Sequence, residues 1–156
     1  IRRYPRMAEA LALFSTKYSA VPVVLLGSHS DADACTIVMK QKPEGAKWYD
    51  LHGKTSLREY ISLIDQAKML VTTDSSALHI ATALNKKIVA IFGPTDPAEK
   101  VYPLADIKVI APIKPNITYN GRFSGSNQKA LDTFKEITPE MVADQIAIKW
   151  QETLNK

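Results

Sequence analysis

The chain has 156 residues, 46% hydrophobic and 23% charged, with a formal net charge of +4. That is the size and balance of one core-forming domain, and the mild positive charge suits a phosphate-bearing ligand or an anionic membrane surface. A single cysteine excludes an internal disulfide, no apolar run reaches the ~20 residues of a membrane-spanning helix, and the scattered basic residues make no aromatic-interleaved stripe for nucleic acid. No secretory signal is visible, and the opening from Ile1 straight into helix-like sequence reads as a cut made inside a longer protein.

Residues 5–18 are expected to form a helix, with Pro5 in its first turn and Met7, Ala10, Leu11, Phe14 and Tyr18 on one apolar face. Residues 21–26, ended by Gly27, read as a buried parallel strand. A short helix follows over 31–40. It carries Cys35 among Ala34, Thr36, Ile37 and Val38, which suggests a packed thiol with no base beside it. After a loop at 42–45, residues 48–51 read as a short strand. Ser56 and Glu59 have capping-box spacing, so a helix should start at Ser56 with Leu57, Tyr60, Ile61, Ile64 and Ala67 on its apolar face. A strand over 69–72 leads into a helix opened by Asp74-Ser75-Ser76, carrying Leu78, Ala81, Thr82 and Leu84 and closing near Asn85. Residues 88–92 form a further strand, stopped by Gly93-Pro94, and 107–111 another. Residues 112–132 lack periodicity and read as a long loop. Thr138 and Pro139 cap a last helix whose buried stripe is Met141, Val142, Ile146 and Trp150.

Strands alternating with helices imply an α/β domain, a Rossmann-like parallel sheet with helices on both faces. Ligands of such sheets bind outside the carboxyl ends of the strands. Three stretches fall there. Asp74, Ser75 and Ser76 stand where a strand meets a helix, and the free N–H groups of a first helical turn favour an anion. His79, one turn on, offers a donor to a phosphate oxygen; equally, Asp74 or Ser75 caps the helix and His79 is a polar surface residue. Thr95 and Asp96, after Gly93-Pro94, either bond ligand hydroxyls or phosphate, or build a tight turn. Lys54, Thr55 and Leu57 flank the cap at Ser56, where Leu57 presents an apolar surface to a base. Asp31 either accepts from ribose hydroxyls or caps its helix, with His29 solvated. His52 shows no partner and reads as a loop residue. Several signatures are missing: G-x-G-x-x-G, a Walker A loop, Cys/His zinc spacing and a G-x-S-x-G elbow.

Taken in order, four segments resemble the C-terminal domain of glycosyltransferase family 9, the heptosyltransferases that use ADP-heptose. They are Leu51-His52-Gly53-Lys54-Thr55-Ser56-Leu57-Arg58-Glu59, Val71-Thr72-Thr73-Asp74-Ser75-Ser76-Ala77-Leu78-His79-Ile80-Ala81-Thr82-Ala83-Leu84, Ile91-Phe92-Gly93-Pro94-Thr95-Asp96-Pro97 and Ile137-Thr138-Pro139-Glu140-Met141-Val142. The resemblance implies a single nucleotide-sugar-binding domain over 1–156, the C-terminal half of a two-domain GT-B enzyme. It implies that Asp74, Ser75, Ser76 and His79 contact the donor diphosphate and sugar, and that Lys54, Thr55 and Leu57 lie near the nucleoside, with Asp31 a further candidate. The family's catalytic base is an aspartate of the N-terminal domain, so no residue here inherits that role, and neither metal nor cofactor is implied. The implied partners are a nucleoside-diphosphate sugar such as ADP-heptose, a lipid-linked saccharide acceptor and the N-terminal domain. The implied place is the cytoplasm, against the inner membrane. Ser76 stands where many members have Gly, and residues 112–132 lack the cysteine-rich insert of many members. Both departures leave room for a non-catalytic binding module, or for another nucleotide-sugar enzyme such as an epimerase.

Overall fold

The computed structural model describes residues 3–103, 105–111 and 127–155. In chain order the elements are α1 (Met7–Lys17), β1 (Val23–Leu25), α2 (Ala32–Lys40), β2 (Trp48–Asp50), α3 (Leu57–Gln66), β3 (Met69–Thr73), α4 (Ser76–Ala83), β4 (Lys87–Ile91), β5 (Ile107–Ile110), α5 (Asn127–Asp132) and α6 (Pro139–Leu154). Short 3-10 turns occupy His29–Asp31 and Pro97–Glu99. Strands alternate with helices and every strand pairing is parallel, as the hydrophobic runs require.

The strands do not make one continuous sheet. β1 pairs with β2, and β3, β4 and β5 form a separate ladder in that order. Both ladders share one core, while only Leu26, past the end of β1, reaches the other, and Val24 and Tyr49 are exposed. On one face Val23, Leu25 and Trp48 join Met69, Val71, Val89 and Ile91 beneath α1, α2 and α6. On the other, Leu26 joins Leu70, Ile88, Ala90 and Phe92 beneath α3 and α4.

Local chemistry sets most of the boundaries. Ser56 Oγ accepts from the Glu59 N–H at 3.3 Å and Glu59 Oε2 accepts from the Ser56 N–H at 2.8 Å, closing the expected capping box of α3. Thr138 Oγ1 accepts from the Met141 N–H and Pro139 takes the first position of α6. α4 ends in a Schellman turn: Asn85 sits at φ 52°, its N–H reaches Thr82, and the Lys86 N–H reaches Ala81. Pro5 lies in the turn ahead of α1 rather than in its first turn, because the helix starts at Met7.

Three further expectations change. Residues 127–132 are helical (α5), not loop; the remainder of the expected loop, 112–126, lies outside the described residues. α6 buries Pro139, Val142, Ala143, Ile146 and Lys149, while Met141 is 49% exposed, since it points about one helical step off that stripe. Leu57 and Ile61 stay exposed because α3 leans on α4 through Ile64, with Tyr60 partly buried. Among the described residues no helix is long and apolar enough to cross a membrane.

Lys149 is the costly element of this core, a buried ammonium on α6. It donates to Asp106 Oδ1 and to Glu152 Oε2, each at 2.8 Å, while Lys87 of β4 donates to Asp106 Oδ2 at 2.6 Å. The cluster ties α6 to β4 and to the residue before β5. Hydrogen bonds from Lys149 and then Lys87 hold the Asp106 carboxyl below its ordinary value, and Lys149 does the same to Glu152. A carboxyl depressed by folding stabilises the native state above its unfolded pKa of about 4 and loses that contribution as pH falls through the lower folded value. The melting temperature should therefore fall as pH drops below about 4.5. Asp106→Asn should blunt that fall in circular dichroism melts and cost about 1–3 kcal/mol at neutral pH, because Lys149 keeps Glu152 as a partner.

Candidate functional site

α3 leaves the carboxyl end of β2 and delivers the chain to the start of β3, so it runs back across the sheet and all five strands point the same way. The turns after β1, β2, β3 and β4 therefore share one edge. All the residues singled out in the sequence lie on those turns or on the first turn of the helix that follows.

The β1 and β2 turns are sewn together by backbone bonds, from the Leu51 N–H to Leu25 and from the Gly53 N–H to Gly27 at 2.8 Å. Gly53 has φ 64°, and a Cβ there would lie 2.4 Å from His29 Nδ1, so both its backbone and its surroundings call for glycine. Asp31 builds a capping box: its Oδ2 accepts from the Ser28 N–H and the Ser28 hydroxyl, each at 2.8 Å. Its other oxygen pairs with Arg3, whose guanidinium also donates to the Ser30 carbonyl. Burial pushes this carboxyl up, but the Ser28 bonds and Arg3 outweigh it and hold the pKa low.

His52 does have a partner, contrary to its reading as an isolated loop residue. Its Nδ1 lies 2.6 Å from Asp50 Oδ1, which also accepts the His52 N–H at 3.1 Å. The bend after β2 folds these two residues, two apart in sequence, onto each other. Burial raises the Asp50 pKa, but bonds from His52 outweigh it and the carboxyl titrates low. The ligand atoms of Cys35, Asp50 and His52 lie within 4.8 Å of one another. Burial pushes the Cys35 thiol up and the Asp50 and Asp31 charges add to it, so the thiol is a packed, protonated group. Lys54 Nζ donates to the Asp50 carbonyl at 2.8 Å, Thr55 is half-buried, and Leu57 opens α3 with its side chain in solvent.

At the β3–α4 junction Asp74 is buried and Ser75 holds the N-cap position. The Ser75 hydroxyl does not cap the helix. It bonds Thr72 Oγ1 at 2.9 Å, so no bond from it reaches the N–H groups of the first turn. α4 buries Ala77, Leu78 and Ala81, and Ser76 and His79, three residues apart, share the exposed face. Thr72, which withdraws the Ser75 side chain, lies in the 71–84 stretch of the family resemblance, but nothing in the sequence singles out its hydroxyl.

The β4 turn separates its two candidates. Asp96 is exposed, and its Oδ1 accepts from the Ala98 N–H at 2.9 Å as the cap of the Pro97–Glu99 turn. Thr95 is 2% exposed, and among the described residues its Oγ1 has no hydrogen-bond partner. Gly93 packs against the Phe134 ring.

A family model described as glycosyltransferase family 9 (heptosyltransferase) matches residues 8–140. The chain is similar to lipooligosaccharide heptosyltransferase 2 of Haemophilus influenzae, 31% identical over 149 residues that cover 92% of this chain and 40% of that protein. It is also similar to lipopolysaccharide heptosyltransferase 2 of Escherichia coli, 40% identical over 77 residues covering 48% of this chain and 22% of that one. Among solved structures it resembles E. coli ADP-heptose LPS heptosyltransferase II, with a TM-score of 0.74 and 29% identity over 97% of this chain and 43% of that one. A family 9 glycosyltransferase from Veillonella parvula shares the fold, with a TM-score of 0.70 at 20% identity over 98% of this chain and 42% of that one. The chain thus spans about two fifths of the Haemophilus protein it matches.

The β4 turn yields a direct check on this geometry. A Cβ at Gly93 would lie 2.3 Å from Phe134 Cζ, so Gly93→Ala must displace that ring. Urea unfolding should show a loss of about 1–3 kcal/mol, the cost of overpacking. An unchanged midpoint would contradict the packing.

Proposed function

The chain belongs to glycosyltransferase family 9, and on that premise we propose that it is the donor-binding half of a two-domain GT-B enzyme. The reaction is transfer of a sugar, heptose from ADP-heptose, to an acceptor of the lipopolysaccharide-core type. The observation that carries this reading is the start of α4. Its N-cap hydroxyl is turned to Thr72, and Ser76 and His79 share the exposed face above the carboxyl edge. N–H groups uncapped by that side chain, at the positive end of a helix, suit a diphosphate.

Chemistry follows from where charge grows. As the bond from the sugar's anomeric carbon to the diphosphate oxygen breaks, negative charge builds on the leaving group. Fixed donors there are worth more in the transition state than in the ground state. The α4 amides and His79 supply them. The acceptor oxygen forms the new bond from the opposite face, and its proton passes to a base outside this chain. Lys54, Thr55 and Leu57 line the side where the nucleoside would rest, with Leu57 offering its exposed apolar surface to the base. Asp31 and Asp96 act mainly by holding their turns in shape, since both carboxylates already accept backbone N–H groups. Thr95, whose buried hydroxyl has no partner among the described residues, is the better placed of the β4 pair to take a ligand bond. The enzyme would act in the cytoplasm, against the inner membrane where its acceptor is anchored.

Calorimetric titration with ADP, GDP and UDP should detect weak binding of at least one, and no sugar transfer by this chain alone. No heat with any of the three at millimolar protein overturns the reading. Ser76→Pro tests the amides directly. Ser75 is already extended (φ −151°, ψ 171°), the backbone favoured before proline, and proline is tolerated at a first helical position. The melting temperature should hold while nucleotide affinity drops about tenfold or more, the worth of one charge-assisted hydrogen bond.

A further inference from the structure

The chain has one cysteine and three histidines. That cysteine and one of the histidines meet around a carboxylate: the ligand atoms of Cys35, Asp50 and His52 lie within 4.8 Å of one another. The Asp50–His52 hydrogen bond accounts for two of the three groups. It does not account for a thiol at the same point.

Two separate parts of the fold assemble the cluster. Cys35 is the buried residue of α2, and α2 packs on β2. Asp50 ends β2, and His52 stands two residues on, in the bend that follows. The bend is fixed by the Leu51 N–H on Leu25 at 3.0 Å, the Gly53 N–H on Gly27 at 2.8 Å and Lys54 Nζ on the Asp50 carbonyl at 2.8 Å. Two of the groups therefore ride on backbone already held in place, and an ion binding there has little chain to order. Because a helix and a bend contribute separately, no linear Cys/His spacing announces the cluster.

The donor set suits zinc. Zn2+ takes thiolate sulfur at about 2.3 Å, imidazole nitrogen at about 2.0–2.1 Å and carboxylate oxygen at about 2.0–2.2 Å, which sets tetrahedral ligand atoms about 3.3–3.6 Å apart. His52 Nδ1 and Asp50 Oδ1 stand closer than that, at 2.6 Å, as a shared proton requires, and the whole group stays within 4.8 Å. Side-chain adjustments of about 1 Å bring all three to bonding distance. Charge balances as well. The ion forms its bond to Cys35 Sγ as the thiol proton leaves to solvent, and the thiolate and the Asp50 carboxylate together offset the two positive charges, with His52 neutral. A neutral assembly is what a buried position tolerates. The Asp50 and Asp31 charges both reach the thiol and favour a cation beside it. Access is from the side of the bend, where the His52 and Asp50 side chains are 20% and 23% exposed.

We propose that Cys35, Asp50 and His52 form a site for a thiophilic divalent cation, Zn2+, which clips α2 to the bend after β2 and leaves its fourth position to water. Thiolate and imidazole select such an ion over Mg2+ or Ca2+, which take oxygen ligands. The bound ion would fix the turn that carries Lys54 and Thr55. None of the residues assigned to the diphosphate is a ligand, so this inference does not rest on the donor reading.

Cobalt(II), a spectroscopic stand-in for zinc, tests it in the reduced, chelator-treated 156-residue chain. One equivalent should produce thiolate-to-cobalt charge transfer in the near ultraviolet, and zinc should bleach it. Zinc at a hundredfold above its Kd should raise the thermal midpoint by about 5–10 °C, while magnesium at the same concentration leaves it in place. Cys35→Ala should abolish the charge-transfer band, and His52→Ala should weaken cobalt binding by about tenfold or more, both with unchanged circular dichroism in the absence of metal. His52 is partly exposed, so its variant keeps the test readable should Cys35→Ala unfold the chain. Overturning results are no charge-transfer band, a band that survives Cys35→Ala, a midpoint that zinc does not move or that magnesium moves equally, or full affinity in a folded His52→Ala. Nucleotide is absent throughout, so failure to bind ADP leaves this result unaffected.

Discussion

A parallel strand can be reached from its neighbour only by crossing a face of the sheet, and this constraint organises the rest of the protein. Each crossover helix must bury one stripe on the sheet, and each strand must hand the chain to a helix at the same edge. The four turns at that edge inherit the fold's irregular backbone, its uncapped helix amides and its polar side chains. They do so because the regular elements consume the apolar residues on both faces. The site is a by-product of connectivity before it is a set of residues.

At that edge the carboxylates and the hydroxyls are used differently. Asp31, Asp50 and Asp96 each accept a backbone N–H, and each thereby stiffens a turn. Their negative charge is spent locally. The Ser75 hydroxyl is drawn away by Thr72, which leaves the positive end of α4 uncovered by its own cap. The start of α4 is thus not capped by the Ser75 side chain, and helix N-termini favour anions.

The one-dimensional pattern was enough for the α/β class, for nearly every helix and strand, for the capping box at Ser56 and the Thr138-Pro139 start, and for the four stretches that carry the family resemblance. These are written in periodicity and in capping residues, whose physics is local. It was also enough to place Ser76 and His79 three apart on one helical face. Only the tertiary structure decided that Ser75 bonds Thr72, that Asp50 holds His52, that Asp31 is taken by Ser28 and Arg3, and that Thr95 is buried with no partner for its hydroxyl among the described residues. It alone turned Met141, Leu57 and Ile61 outward, gave 127–132 to a helix, and split the strands into two ladders. Those outcomes depend on which surfaces meet across the fold, and contact between segments distant in sequence leaves no periodic trace along the chain.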